Sequence, residues 1–378
     1  MKCWGRNNAG QLGVGDRVEI GALDSDFPPK STSTFDSVSL LKSGGYNTCA
    51  LSAEGDAKCW GSNVVLGPNR STADSTDASV APLLPVGQQQ PHEQIVDVAI
   101  GLDNYCVIFS NLKMKCYGVN DSGVCGSGTE DPRGEEEDEY PLDNVDAGVL
   151  VQGISMSSNQ ICIVGTMGSV KCWGDWESVL GLGAEPTTNL SIGNEPGEMP
   201  PDPVVHTKDV TSIALGGRHA CAIIPTNSTA PANGLKCWGY NSNGQLGLGD
   251  TNERGNNASE MFGLRTRFSD DIQESPEGIA TSTNATCTVT STGHIYCWGK
   301  ATEIGQGMDI GTAPDKAAFR VDMGLAITSI ASHGTARHFC AITEVGTVKC
   351  WGEDDYNQLG LGERAQDLDD PAQQVVLW

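Results

Sequence analysis

The sequence predicts an all-β protein built from repeats of about 56 residues, a solenoid or a propeller. Three observations carry that expectation. The tripeptide Cys-aromatic-Gly occurs seven times, starting at Cys3, Cys59, Cys116, Cys172, Cys237, Cys297 and Cys350, with separations of 56, 57, 56, 65, 60 and 53 residues. Of the 378 residues, 47 are Gly, about 12% against a usual level of roughly 7%, which suits a turn-rich chain. Apolar residues alternate or cluster in short runs separated by turn residues, the pattern of many short strands.

Each repeat divides into a hairpin, a turn segment and a connection. The hairpin is clearest in residues 340–350, CAITEVGTVKC. The turn segment is residues 5–16, GRNNAGQLGVGD, and recurs nearly unchanged over residues 239–250. A variable polar connection of about 20–30 residues follows and often ends in a β-branched run such as Ile95-Val96-Asp97-Val98-Ala99-Ile100.

Cysteine spacing sets the hairpin register. Five pairs share the spacing C-x9-C: Cys49/Cys59, Cys106/Cys116, Cys162/Cys172, Cys287/Cys297 and Cys340/Cys350. Gly55, Gly168, Gly293 and Gly346 directly follow the midpoint in four of them. A three-residue loop needs a left-handed residue at its end, and glycine adopts that conformation at little steric cost. The two cysteines are then directly opposed, at a separation that suits a disulfide. Leu112 stands in the glycine position of the 106/116 hairpin, and Cys221/Cys237 has a loop six residues longer. Within each tripeptide, period-2 alternation sends the aromatic to the face opposite Cys and Gly, where it is expected to pack between layers.

These pairs use 12 of the 14 cysteines. The absence of C-x2-C and of suitably spaced histidines opposes a metal site, and the recurring geometry favours disulfides and an oxidising compartment. Cys3 and Cys125 fall outside the pairs. Cys125 occupies the position of Leu12, Leu246 and Leu359 in other turn segments and reads as a buried thiol. The partner of Cys3 is expected ten residues upstream, before Met1, and only 28 residues follow Cys350, against the 43–50 that separate one tripeptide from the next hairpin. The expectation is a single repeat domain over 1–378, a fragment of a longer chain. The alternative is a ring closing on an incomplete blade.

The pattern Gly216-Gly217-Arg218-His219-Ala220-Cys221-Ala222-Ile223, followed by Gly234-Leu235-Lys236-Cys237-Trp238-Gly239 and the turn segment to Asp250, resembles a repeat of the regulator-of-chromosome-condensation family. The paired cysteines resemble its cysteine-rich, extracellular-type branch. The resemblance implies a seven-bladed β-propeller, here with room for one incomplete blade. It does not carry one function, because the family includes an exchange factor for a small nuclear GTPase, a plant ultraviolet photoreceptor, a secreted enzyme inhibitor and ubiquitin-ligase modules. The photoreceptor-type motif Gly-Trp-Arg-His-Thr is approached only at residues 216–220, where Gly217 replaces the Trp, so light sensing is not expected.

The formal charge of −25, without clustered Lys or Arg, opposes nucleic-acid binding. No apolar run is long enough to span a bilayer, and residues 1–5 contain no apolar leader core. P-loop, G-x-S-x-G, H-E-x-x-H and sialidase-type motifs are absent. His219 and His338, each two residues before a hairpin cysteine, are expected to be structural, and residues 135–139 (EEEDE) to form a solvated loop. Sequons occur at Asn69, Asn120, Asn189, Asn227, Asn257 and Asn284, with Asn120 read as structural. The functional expectation is a disulfide-stabilised, non-enzymatic module binding a protein or glycan, without cofactor or metal, outside the cell or in the secretory lumen. The alternative is an intracellular scaffold or guanine-nucleotide exchange factor.

Overall fold

A computed structural model describes residues 1–26, 29, 31–32, 34–62, 76–79, 81, 83–84, 93–134, 142–175, 181–182, 191–204, 206–225, 234–261, 266, 268, 274–313 and 318–362. Each repeat folds as an antiparallel meander. The first sheet comprises β1 (Val38–Gly44), β2 (Asn47–Ser52) and β3 (Ala57–Gly61). The second is β4 (Ile95–Ile100), β5 (Asn104–Phe109) and β6 (Met114–Gly118). The third is β7 (Val151–Met156), β8 (Gln160–Gly165), β9 (Val170–Asp175) and the short outer β10 (Ser191–Ile192). The fourth is β11 (Ser212–Leu215), β12 (His219–Ile223) and β13 (Leu235–Gly239). The fifth is β14 (Pro276–Thr281), β15 (Ala285–Thr290), β16 (Ile295–Gly299) and the outer β17 (Phe319–Val321). The sixth is β18 (Ile327–Ala331), β19 (His338–Thr343) and β20 (Val348–Gly352).

First strands contact one another in succession, β1 with β4, β4 with β7, β7 with β11, β11 with β14 and β14 with β18. They form the hub of a β-propeller. Six sheets are present among the described residues, and the first Cys-Trp-Gly lies at a seventh position. There Lys2 bridges Ser31 and Gly5 bridges Ile20, and Trp4 packs beside the sixth-sheet residues Cys340, Val348 and Cys350. That arrangement is consistent with the seven blades the resemblance implied.

The turn segments lock neighbouring sheets together through a repeated set of polar contacts. Asn7, Asn120 and Asn241 are buried, and each side-chain oxygen accepts the backbone N–H of the residue five positions on, at 3.0, 2.7 and 2.9 Å. Asp354 takes the same role toward Leu359 at 2.8 Å. The carbonyl before the leucine position then accepts the indole N–H of the next repeat. Trp60 donates to Gln11, Trp173 to Val124, Trp298 to Gln245 and Trp4 to Gln358, at 2.8–3.1 Å. After β16 the pattern departs. Residues 301–304 form a one-turn helix, α2 when the helix Ala258–Met261 is counted as α1. The buried Glu303 carboxylate accepts from Ser282 Oγ and the Asn284 backbone N–H, holding the β14–β15 turn.

Candidate functional site

The twelve hairpin cysteines stand as six opposed pairs. Disulfides join Cys49–Cys59, Cys106–Cys116, Cys162–Cys172, Cys221–Cys237, Cys287–Cys297 and Cys340–Cys350, with Cα–Cα distances of 4.0–4.1 Å. Those distances match the close, non-hydrogen-bonded positions of an antiparallel ladder. Gly55, Gly168, Gly293 and Gly346 have φ of 90°, 70°, 77° and 81°, and Leu112 is forced to 64°. Cys125 is a buried thiol in the leucine position of its turn segment, and Cys3 is a half-buried thiol. Burial pushes the Cys3 thiol up to about 11.

The tripeptide aromatics pack inside the propeller. Trp60, Tyr117, Trp173, Trp238, Trp298 and Trp351 are at most 1% exposed, whereas Trp4 is half-buried. Trp176 and Trp378 lie outside the described residues. His219 is buried and its Nε2 meets Thr286 Oγ1 at 2.8 Å, and burial drives its pKa down to about 3. Burial likewise lowers His338 to about 4. The acidic run at 135–139 and the sequons at Asn69, Asn189 and Asn227 lie outside the described residues. Asn257 is exposed. Asn120 is wholly buried in its turn, and Asn284 is half-buried and donates from Nδ2 to Glu303 at 3.0 Å.

Sequence reasoning passed over two features. Lysine precedes the cysteine in six of the seven tripeptides, and Tyr296 does so in the other. These lysines look like solvated charges, yet Lys115, Lys171, Lys236 and Lys349 are buried. The Lys236 ammonium donates to the carbonyls of His206 and Met261 at 2.8 and 2.7 Å, and Lys349 to Met323 at 2.7 Å, tying outer connections to the sheet. The repeated Lys-Cys-Trp-Gly was the available signal.

The second feature is the loop between β18 and β19. In the other five sheets, seven residues separate the second-strand cysteine from its first-strand neighbour, as in Lys42↔Cys49 and Ala214↔Cys221; in the sixth, Ala331↔Cys340 spans nine. The longer loop crosses the hub. His333 Nε2 contacts Ile100 O at 2.8 Å, Thr335 Oγ1 accepts from Gly45 N, and Ala336 O accepts from Thr283 N at 2.8 Å. A Cβ on Gly334 would lie 2.6 Å from both Leu215 O and Ser157 Oγ, so only glycine fits there. The loop therefore touches the other five sheets.

Between the sixth and first sheets lies a cleft of about 670 Å³. Its walls include Cys3, Trp4, Leu41, His338 and Cys340. At its rim the Arg6 guanidinium sits between the rings of Tyr46 and Tyr356, 4.9 and 4.3 Å from their centroids, a cation–π arrangement. Among the described residues, no group of three or more His, Cys, Asp or Glu side chains has metal-binding geometry, and no helix is long and apolar enough to cross a membrane.

Comparison with known proteins agrees with this architecture. Residues 38–65 and 327–358 match the regulator of chromosome condensation (RCC1) repeat. The chain is 25% identical over 374 residues to the ultraviolet-B receptor UVR8 of Arabidopsis thaliana, covering 95% of this chain and 74% of that protein. Among solved structures it is similar to yeast RCC1 (Prp20), in a complex with Kap60, with a TM-score of 0.72 at 19% identity over 99% of this chain and 83% of that one. Human WBSCR16 gives a TM-score of 0.73 at 18% identity, over 99% and 94% of the two chains. Two stretches of the chain thus match the regulator-of-chromosome-condensation repeat, and the seven tripeptides with their six stapled hairpins make the chain similar to that family in a cysteine-rich form.

Proposed function

We propose that the chain is a non-enzymatic binding module of an oxidising, extracellular or secretory-lumen setting, which holds a protein or glycan ligand on its exposed connections. One observation carries the reading: what repeats from sheet to sheet is internal, and what varies is the connections. The paired cysteines, capping asparagines, indole donors and buried lysines all point inward and hold the frame. Such a frame gives recognition loops fixed points of attachment, the usual division between rigid scaffold and recognition loop. Propellers that are enzymes converge reactive groups at the hub, and here residues 332–337 run across it. Disulfides favour an oxidising setting. Asn257, exposed on a connection, is a candidate glycan acceptor.

The likeness to Prp20 favours a second reading. A structure of that protein is described with its binding to Gsp1p and histones, and a comparable intracellular scaffold or exchange-factor role would leave the cysteines reduced. Screening the oxidised protein on glycan and extracellular-protein arrays decides between them. The first reading expects saturable binding that disappears after reduction and alkylation. Binding indifferent to reduction, together with accelerated nucleotide release from a small GTPase, contradicts it.

A further inference from the structure

In all six sheets the tripeptide aromatic pairs through its backbone with the second strand, as in Thr48↔Trp60, Tyr105↔Tyr117, Ile161↔Trp173, Ala220↔Trp238, Thr286↔Trp298 and Phe339↔Trp351. Trp4 has no such neighbour. Its indole donates to Gln358, but its backbone N–H and C=O have no hydrogen-bond partner among the described residues. Residues 2–5, bridged outward at Lys2 and Gly5, thus stand in the place of a third strand whose inner edge is open at Trp4, beside the 670 Å³ cleft. An open edge of this kind accepts an added strand through main-chain hydrogen bonds.

The walls of the cleft are uncovered in the pattern a missing pair of strands would leave. Second strands β2, β5, β8, β12 and β15 are buried along their whole length. In β19, by contrast, His338 and Cys340 are half-buried and Ile342 is 44% exposed, all on one face. Across the cleft, Leu41 is 43% exposed, whereas Val98, its counterpart in β4, is 2% exposed. Leu41 lines the gap from one side and His338 and Cys340 from the other, and Cys3 lines it as well.

We propose that this cleft is the seat of one further β-hairpin of the repeat's own type, a first and a second strand whose cysteine lies directly opposite Cys3. The occupant is specified by the register of the other sheets: alternating apolar residues for both walls, and a cysteine at the non-hydrogen-bonded position that elsewhere sets the Cα atoms 4.0–4.1 Å apart. Pairing would close the inner edge at Trp4 and cover Cys340, Ile342 and Leu41. The covalent step is a thiol–disulfide exchange. The Cys3 thiolate attacks the hairpin cysteine held as a mixed disulfide with a small thiol; the new S–S bond forms as the old one breaks, and the small thiol leaves as its thiolate and takes up the proton that Cys3 released.

A synthetic peptide copying residues 276–290, which carries the single cysteine Cys287, is the probe. It is supplied as the mixed disulfide with glutathione to the full 378-residue chain, beside a scrambled peptide of the same composition. Because burial holds the Cys3 thiol protonated at neutral pH, random exchange is slow and a rate advantage reports docking. The expected result is an adduct at Cys3 formed at least tenfold faster than with the scrambled peptide, and slowed hydrogen exchange at the Trp4 amide. In Cys3→Ser the peptide forms no adduct but still protects that amide. Equal rates for the two peptides, attachment at Cys125, absence of protection in Cys3→Ser, or a persistent Cys3–Cys3 dimer filling the cleft instead would each overturn the proposal.

Discussion

Leu112 sits at φ 64°, where the equivalent residues of four other hairpins are glycines. A side chain in the left-handed region costs about 1–2 kcal/mol, partly offset by the backbone freedom that glycine loses on folding. Leu112→Gly is therefore expected to stabilise the protein by roughly 0.5–1 kcal/mol, read from the midpoint of chemical denaturation. His219 makes an opposite kind of demand. Buried against Thr286 with its pKa driven down to about 3, it stays neutral in the folded state, whereas the unfolded chain binds a proton below pH about 6.5. Stability from this group is complete above that value and falls as pH drops toward 3; His333 and His338, also lowered by burial, act in the same direction. Between pH 7.5 and pH 5 the loss attributable to His219 is about 2 kcal/mol, and a denaturation series in His219→Gln should be flatter by that amount. The spacing of His219 before its cysteine made its structural role legible. The buried lysines were not, because an ammonium on a polar strand reads as solvated until the carbonyls that receive it are brought near by distant connections.

The hairpin is the element most fully written in the sequence, because its loop length, its left-handed position and its paired cysteines all specify the same register. The turn segment is harder. Its recurrence was visible, but not that it is an adaptor, with one end capped by its own asparagine and the other accepting the indole of the next repeat. Trp298→Phe keeps the ring but removes the bond to Gln245 O and leaves a void in a wholly buried site. A loss of about 2–3 kcal/mol is expected, with the fifth-sheet amides most affected in native-state hydrogen exchange. An equal loss spread across every sheet would mean the indole clasp does not act locally. The helix at Ala301–Ile304 was hidden for a plain reason: residues 300–306 lack the Asn-x-x-x-Gln-Leu-Gly pattern, and a buried carboxylate, Glu303, takes over the work.

The ring as a whole combines local covalent closure with non-local contact. Each disulfide closes a loop of only about 11–17 residues inside one hairpin, so each contributes about 3 kcal/mol in the chain-entropy model and none links one sheet to another. Adhesion between sheets rests on the indole donors, the apolar layers and the loop over residues 332–337. The repeat count was legible because seven tripeptides announce it. The hub loop was not, since two extra residues in a variable turn carry no sign of which distant sheets they reach. The most direct measurement on the whole account is alkylation of the native protein followed by a non-reducing peptide map. The expected result is six linkages, each confined to its own hairpin, with Cys3 and Cys125 the sole cysteines that take label once the chain is unfolded without reductant. Labelling of the hairpin cysteines, or sulfur linkages running from one sheet to the next, would contradict it.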